Sequence, residues 1–334
     1  MKVLHLPYGI GISALSRALR GQGVDAASLS LLNHHYSYLA DIRMHADNVP
    51  LDKANRMLKH FFEEALDRFD IFHFHFGETF FPDKRDLKLI ADRGKKMAMF
   101  HRGSEARILS IARSSGNPYV RVKKTWPEAR IRSNLKLLSS YIDHACVPDH
   151  ELLPYVKPYY KHVHVVPYAI DSANYMPKYP APCSEPLIVH APSRQDLKGT
   201  KYVLDAVARL KKEGHRFVFK LVERMPHDEA LRLYREASIV VDQLLIGSYA
   251  NLSMEAMAMG KPVICYIRED LLRTFPPDLP IVNANPVTVY DAIKDLLTHP
   301  ERWASLGEQG RRYVERNHGL EKAAKSLIRV YQLL

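Results

Sequence analysis

Residues 242–263, DQLLIGSYANLSMEAMAMGKPV, decide the reading of the fold. The apolar run from Ser238 to Leu245 has the length and composition of a buried strand, and small and polar residues follow it. A helix is expected to begin near Asn251 or Ser253. Strand, loop and helix start in that order build an anion site. Gly247 and Ser248 let another molecule approach the backbone. The first N–H groups of the helix have no partner inside it, so they and the helix dipole favour a phosphate. Glu255 falls in the first turn or so, too close to that phosphate to help bind it, but placed to accept hydrogen bonds from ribose hydroxyls. A nucleotide satisfies both groups.

Working outward, the segment from Leu187 onward alternates strand and helix: LIVHAP, a loop SRQDLKGT, helix KYVLDAVARLKKEG, strand FVFKLVE, helix DEALRLYREA and strand SIVVDQLL. Strands alternating with helices of this length imply a parallel sheet covered on both faces. Arg194 and Lys198 flank the loop after the first of these strands, so two cations reach the same carboxyl edge as the Asn251 helix start. Two positive side chains facing a helix N-terminus suit a diphosphate. A purely structural role for both stays open at this point, because surface Arg and Lys are common. Gly260-Lys261 is followed by Pro262, so this is not a P-loop, and no Asp-x-Asp pair occurs to bridge Mg²⁺ to a nucleotide. A departing diphosphate is then expected to be stabilised by protein cations and helix N–H groups.

The first half repeats the alternation. The strand Lys2 to Leu6 leads into PYGIGISALSRALRGQG, in which Gly9 and Gly11 lie in the turn and Ile12, Leu15 and Leu19 mark a helix face. Gly9-x-Gly11-x-x-Ala14 matches the dinucleotide fingerprint, which raises an oxidoreductase as a rival reading. That fingerprint requires an acidic residue about 20 positions on, where this chain has Asn33-His34-His35. The glycines are therefore read as opening a loop towards a cleft. In DIFHFHFGETF, His73 and His75 share one face of a strand. Such a pair can bind metal, but the sequence shows no third ligand, and histidines at a strand's carboxyl end fit a ligand site better. The strand Lys96 to Phe100 likewise ends in HRGSEAR, which puts His101 at a carboxyl edge. The residues SANYMPKYPAPCSEP hold four prolines without a period and read as an interdomain linker.

With 334 residues, 46% hydrophobic and 25% charged, the chain has the composition of a globular protein of two domains. No apolar run approaches the roughly 20 residues of a membrane span, Met1-Lys2 runs straight into a strand, and the expected location is the cytoplasm. Cys146, Cys183 and Cys265 are far apart and odd in number, as structural thiols in a reducing compartment would be. The net charge of +11 favours an anionic partner. It is concentrated in residues 1–172, with 25 Lys and Arg against 18 Asp and Glu. None of the usual nucleic-acid motifs appears, so no nucleic-acid partner is expected.

Taken together, the Gly-containing first loop, the DIFHFH strand, His101, VVPYAID, SRQDLKG, MEAMAMGKPV and the closing PERWASLGEQGRRYVERN resemble the retaining, GT-B-type glycosyltransferases called glycosyltransferase group 1, or family 4. The resemblance covers nearly the whole chain. It implies an α/β fold of two Rossmann-like, doubly wound parallel-sheet domains with a cleft between them. Residues 1–172 would form the acceptor-side domain, 173–186 the linker and 187–316 the nucleotide-sugar domain, with a final helix over 317–334 crossing back to the first. By the same resemblance, Arg194 and Lys198 hold the donor's diphosphate, the backbone of Asn251, Leu252 and Ser253 its phosphate, and Glu255 its ribose. Gly9 and Gly11 approach the diphosphate from the opposite domain, and His101 faces the transferred sugar. His75, Glu78 and Arg102 are acceptor-side candidates. The family's first glutamate, eight positions before Glu255, is replaced here by Gly247. Asp242, Gln243, Tyr249 or Glu223 could supply the missing polar contact, and a non-catalytic sugar-nucleotide-binding relative is the alternative that this departure raises. No metal or other cofactor is expected. The expected partners are a nucleoside diphosphate sugar and a glycan or lipid-linked acceptor, with peripheral contact at the inner membrane face.

Overall fold

The computed structural model describes residues 1–7, 11–32 and 40–334. They fold into two compact units. The first comprises Met1–Ile108, Lys124–Ala169 and Leu320–Leu334, and the second Leu109–Lys123 and Ile170–Gly319.

The first unit is built on seven parallel strands: β1 (Lys2–Leu6), β2 (Asp25–Ser30), β3 (Ile42–Arg43), β4 (Ile71–His75), β5 (Lys96–Phe100), β6 (His144–Val147) and β7 (His162–Val165). Their order is β3-β2-β1-β4-β5-β6-β7, so the winding reverses between β1 and β4. Parallel pairing needs crossovers, and the helices Ile12–Gly21, Leu51–Arg68, Arg85–Asp92 and Glu128–Ser139 supply them. The central strands β1, β4, β5 and β6 are short and buried because both faces are covered. On one face Val3, Ile71, Phe100 and Cys146 meet Leu15 and Leu19 of the first helix and Ala324, Leu327, Val330 and Tyr331 of the last, Leu320–Tyr331.

The second unit has five parallel strands: β8 (Leu187–His190), β9 (Val218–Leu221), β10 (Ile239–Val241), β11 (Val263–Cys265) and β12 (Val282–Asn283). Their order is β12-β11-β10-β8-β9, with the reversal between β8 and β10. The helices Thr200–Lys212 and Val289–Thr298 bury Val203, Leu210, Ile293 and Leu296 against Ile188, Ile239 and Ile264 of the sheet. The strand expected over Ser238 to Leu245 is shorter, because past Val241 the chain turns to the loop after β8: the Leu244 N–H donates to the Lys198 carbonyl at 2.9 Å. Among the described residues no helix is long and apolar enough to cross a membrane.

In an open parallel sheet the carboxyl edge at the winding reversal is where connecting loops splay apart and leave room for a ligand. In the first unit that edge carries the residues after β1 and β4, and in the second the residues after β8 and β10.

Candidate functional site

In the second unit, the loop after β8 and the loop after β10 are tied into one structure. Gly199 follows the short helix Gln195–Lys198 with φ +83, and a Cβ there would meet Leu244 Cβ at 3.1 Å and Leu245 Cγ at 3.2 Å. Only glycine suits both the left-handed backbone and that approach. Lys198 Nζ donates to Gln243 Oε1, and Gln243 Nε2 donates to the Ser248 carbonyl. The ammonium is therefore held to the loop that enters the helix Asn251–Ala258. From the other side, Asn117 Nδ2 donates to the carbonyls of Leu245 and Ile246, both at 2.9 Å. Arg194 is arranged differently. Its exposed guanidinium lies along its own loop, giving Asp196 two hydrogen bonds of 3.0 and 2.7 Å. The structure thus joins Lys198 to the loop after β10 and leaves Arg194 in an exposed ion pair.

The helix start is partly occupied. Buried Asp242 accepts the Ser253 hydroxyl at 2.6 Å and the Ser253 N–H at 3.3 Å. Of the three backbone groups expected to meet a phosphate, Ser253 is committed to this carboxylate. Asn251 and Leu252, half-buried, provide the first two N–H groups, which have no carbonyl within the helix. Glu255 is buried, and its Oε1 accepts His227 Nε2–H at 3.0 Å and Tyr175 O–H at 3.3 Å. The hydrogen bond to Glu255 raises the His227 pKa above its ordinary value, outweighing burial, with the Glu255 and Asp228 charges adding to it. Burial is the largest cause that raises the Tyr175 pKa, and Glu255 adds to it. His227 and Tyr175 carried no signal in the sequence: one follows Pro226 at a helix start, the other lies in the linker.

Gly247 owes its place to the backbone. Its φ is +91, and a Cβ would stand 3.2 Å from Arg268 Cβ, while its carbonyl accepts the Arg268 N–H at 2.9 Å. A glutamate does not fit there without rearrangement. Of the residues that could replace it, Asp242 and Gln243 are buried and engaged as described. Tyr249 points into the unit, its hydroxyl 2.8 Å from His318 Nε2 and 3.1 Å from the Tyr313 hydroxyl. Glu223 accepts Gln195 Nε2 at 2.8 Å on the surface.

In the first unit, Gly11 precedes the helix Ile12–Gly21 with φ +78, and a Cβ would approach the Ala169 carbonyl oxygen to 3.5 Å. Gly9 and the Asn33-His34-His35 segment lie outside the described residues. The edge between β1 and β4 holds a histidine cluster that sequence alone did not join. The β1–β4 register pairs His5 with His73, so His5 stands beside His73 and His75, all fully buried. One candidate ligand atom from each lies within 4.8 Å of the others, and His5 thus supplies the third member that the HxH pair lacked.

Hydrogen bonding fixes a direction through this cluster. Arg102 Nη2 lies 3.3 Å from His75 Nδ1, and a guanidinium only donates, so Nδ1 accepts and the hydrogen of neutral His75 sits on Nε2. That N–H donates to His5 Nδ1 at 3.1 Å, and His5 Nε2–H then donates to the Tyr331 hydroxyl at 3.3 Å. The Tyr331 O–H donates to His73 Nδ1 at 2.6 Å, and His73 Nε2–H remains buried without a partner among the described residues. In this arrangement every ring nitrogen but His73 Nε2 has a place along one hydrogen-bonded chain. Burial is the chief cause that lowers all three pKa values, His5 to about 3, with Arg102 adding to it. The histidines are neutral at physiological pH.

His75 is therefore part of a buried network. Arg102 lies over the rings of Phe100, Tyr168 and Phe76, 4.9, 5.4 and 5.7 Å from their centroids. Glu78 is paired with Lys84 at 2.6 Å. His101 is fully buried, its Nε2 2.9 Å from the Tyr160 hydroxyl and its Nδ1 3.7 Å from Glu105 Oε1. Burial opposes ionisation of Glu105, but the nearby His101 and the Arg102 N–H, at 2.5 Å, outweigh it and hold its pKa below the usual value. Of its ring nitrogens, Nε2 meets the Tyr160 hydroxyl and Nδ1 has no hydrogen-bond partner among the described residues.

Two doubly wound parallel-sheet units, the second with a lysine-bearing loop and a helix start at its winding reversal, have the fold of GT-B glycosyltransferases. Sucrose-phosphate synthase from Thermosynechococcus elongatus is similar over 100% of this chain and 99% of its own, with 14% identity and a TM-score of 0.63. HepE from Anabaena, solved in complex with UDP-glucose, is similar over 100% of both chains, with 11% identity and a TM-score of 0.64. The same fold serves a UDP-GlcNAc 2-epimerase from Neisseria meningitidis bound to UDP-GlcNAc, similar over 100% of both chains at 14% identity and a TM-score of 0.54. Residues 194–329 match the family described as glycosyl transferase-like. That match covers most of the second unit, and the solved structures share the fold of both. No curated protein matches the sequence.

Proposed function

We propose that the protein transfers a sugar from a nucleoside diphosphate donor to an acceptor hydroxyl with retention of anomeric configuration and without a metal. The observation that carries this reading is the junction of Lys198, the Asn251–Ala258 helix start and Glu255 within the second unit. Lys198 and the Asn251 and Leu252 N–H groups take the diphosphate, and Glu255 takes the ribose. The UDP-sugars and UDP seen with structures of the same fold support a donor of this kind.

In the reaction the bond from the anomeric carbon to the diphosphate oxygen breaks, and a bond to the acceptor oxygen forms. Negative charge grows on the leaving diphosphate, and preformed cations and N–H groups stabilise it where it develops. Arg194 joins them by exchanging Asp196 for the diphosphate. The leaving phosphate takes the acceptor's proton. Gly11, His101, His75, Glu78 and Arg102 of the first unit belong to the same proposal, as donor-side and acceptor-side residues. Polysaccharide, other glycans and lipid-linked sugars are the acceptor class, and the basic residues of 1–172 suit peripheral contact with an anionic inner membrane face.

A panel of nucleoside diphosphate sugars, with and without glycan acceptors, tests the reading. Release of nucleoside diphosphate is expected, and Lys198→Ala should reduce it by about two orders of magnitude while circular dichroism stays unchanged. Full activity in Lys198→Ala would sink the assignment. So would conversion of the donor to its epimer with no nucleoside diphosphate released.

A further inference from the structure

We propose that His227 is a positioning residue of the nucleotide site: it holds Glu255 by one carboxylate oxygen, leaves the other to the ribose, and ties donor binding to its own protonation. This rests on the reading of Glu255 as the ribose acceptor. The geometry is direct. Glu255 Oε1 takes both available hydrogens, from His227 Nε2 at 3.0 Å and from the Tyr175 hydroxyl at 3.3 Å. Two donors on one oxygen set the plane of the carboxylate and turn Oε2 to a ligand. Tyr175 is itself anchored, because Arg311 Nη1 donates to its carbonyl at 2.6 Å and to that of Ser172 at 3.1 Å.

His227 opens the helix His227–Glu236 a few residues past the end of β9, and its side chain is 37% exposed while that of Glu255 is 8% exposed. A nucleoside seated on Glu255 would cover the open side of the imidazole. The charged groups that face it are Glu255, from the Asn251–Ala258 helix, and Asp228 on its own helix; Tyr175 approaches through Glu255. All are acidic or neutral, so the protonated imidazole is the form they favour, and its pKa is raised accordingly, first by the hydrogen bond to Glu255. A bound diphosphate adds negative charge, which favours protonation further and acts against the desolvation that lowers it. By linkage, donor binding takes up a proton at His227, and affinity falls as pH rises through its titration.

The test uses calorimetric titration of the full chain with UDP-glucose, GDP-glucose and ADP-glucose, whose diphosphates do not titrate near neutrality. Between about pH 6 and pH 8.5 the affinity of the wild type should fall by about three- to fivefold, the scale of a partly exposed charge pair. His227→Gln should bind more weakly at the lower pH and show no such fall. Glu255→Gln should lower the His227 pKa followed by NMR in the protein without nucleotide, a readout independent of turnover. The same pH dependence in His227→Gln as in the wild type would overturn the inference and leave the nucleotide site standing. An unchanged His227 pKa in Glu255→Gln would overturn it too. Failure of every sugar nucleotide to bind either protein at any pH would instead remove the proposed function, and this inference with it.

Discussion

Gly247 stands where the resembled family carries a glutamate, and replacing it tests whether the backbone or the chemistry decides that position. Gly247→Ala places a Cβ on a residue with φ +91, a left-handed conformation that costs about 1 to 2 kcal/mol for an L side chain. The new Cβ would stand 3.2 Å from Arg268 Cβ and 3.3 Å from its Cδ. Arg268 cannot simply swing away. Its N–H is bonded to the Gly247 carbonyl at 2.9 Å, its side chain is 6% exposed, and its guanidinium gives Asp270 two hydrogen bonds of 2.7 Å. Overpacking against so fixed a neighbour adds about 1 kcal/mol, for a total of about 2 to 3 kcal/mol. Urea denaturation measures the loss, and a double-mutant cycle with Arg268→Ala should recover only the packing against Arg268 Cγ and Cδ, because alanine keeps the Cβ, and leave the backbone part. Gly247→Glu should be destabilised at least as much as Gly247→Ala, with no gain in donor turnover. A Gly247→Ala protein within about 0.5 kcal/mol of wild type would refute the structural account. So would a Gly247→Glu protein that turned over donor faster at full stability.

The buried histidines predict acid lability. His5, His73 and His75 are held neutral by burial, with folded pKa values well below the ordinary 6.5, while the unfolded chain protonates them near that value. The unfolded state therefore binds more protons as pH falls below about 6.5, and near pH 5 these three groups cost the fold about 4 kcal/mol per pH unit. Denaturation measured across that range should show this slope, and His73→Phe should reduce it by about a third; an unchanged slope would mean that the cluster is not buried and neutral. At the helix contact in the second unit, a Cβ on Gly307 would lie 2.0 Å from the Gly260 carbonyl oxygen. Gly307→Ala should cost about 3 kcal/mol despite alanine's better helix propensity, and a melting temperature at or above wild type would contradict that contact.

The alternation of short apolar runs with 3.6-period segments was enough to read two parallel-sheet units, because strand and helix burial repeat at fixed spacings along the chain. The helix start at Asn251, the glycine turn at Gly11 and the loop carrying Lys198 were legible for the same local reason. What the sequence could not join are contacts set by strand order. His5 and His75 are 70 residues apart and meet because β1 and β4 are neighbours in register. Leu109–Lys123 lies in the second unit, where Asn117 braces the loop after β10, although the strands before and after it in sequence belong to the first. Residues 238–263 show the same division. Local pattern alone determined the glycine loop and the helix start, and a strand before them that in fact ends at Val241. Tertiary structure decided that Asp242 takes the Ser253 N–H, that Lys198 reaches the loop while Arg194 pairs with Asp196, and that Glu255 is shared with His227 and Tyr175. The physical reason is that period and composition specify which face of an element is buried, whereas the partner of a side chain depends on which elements the winding of the sheet brings together.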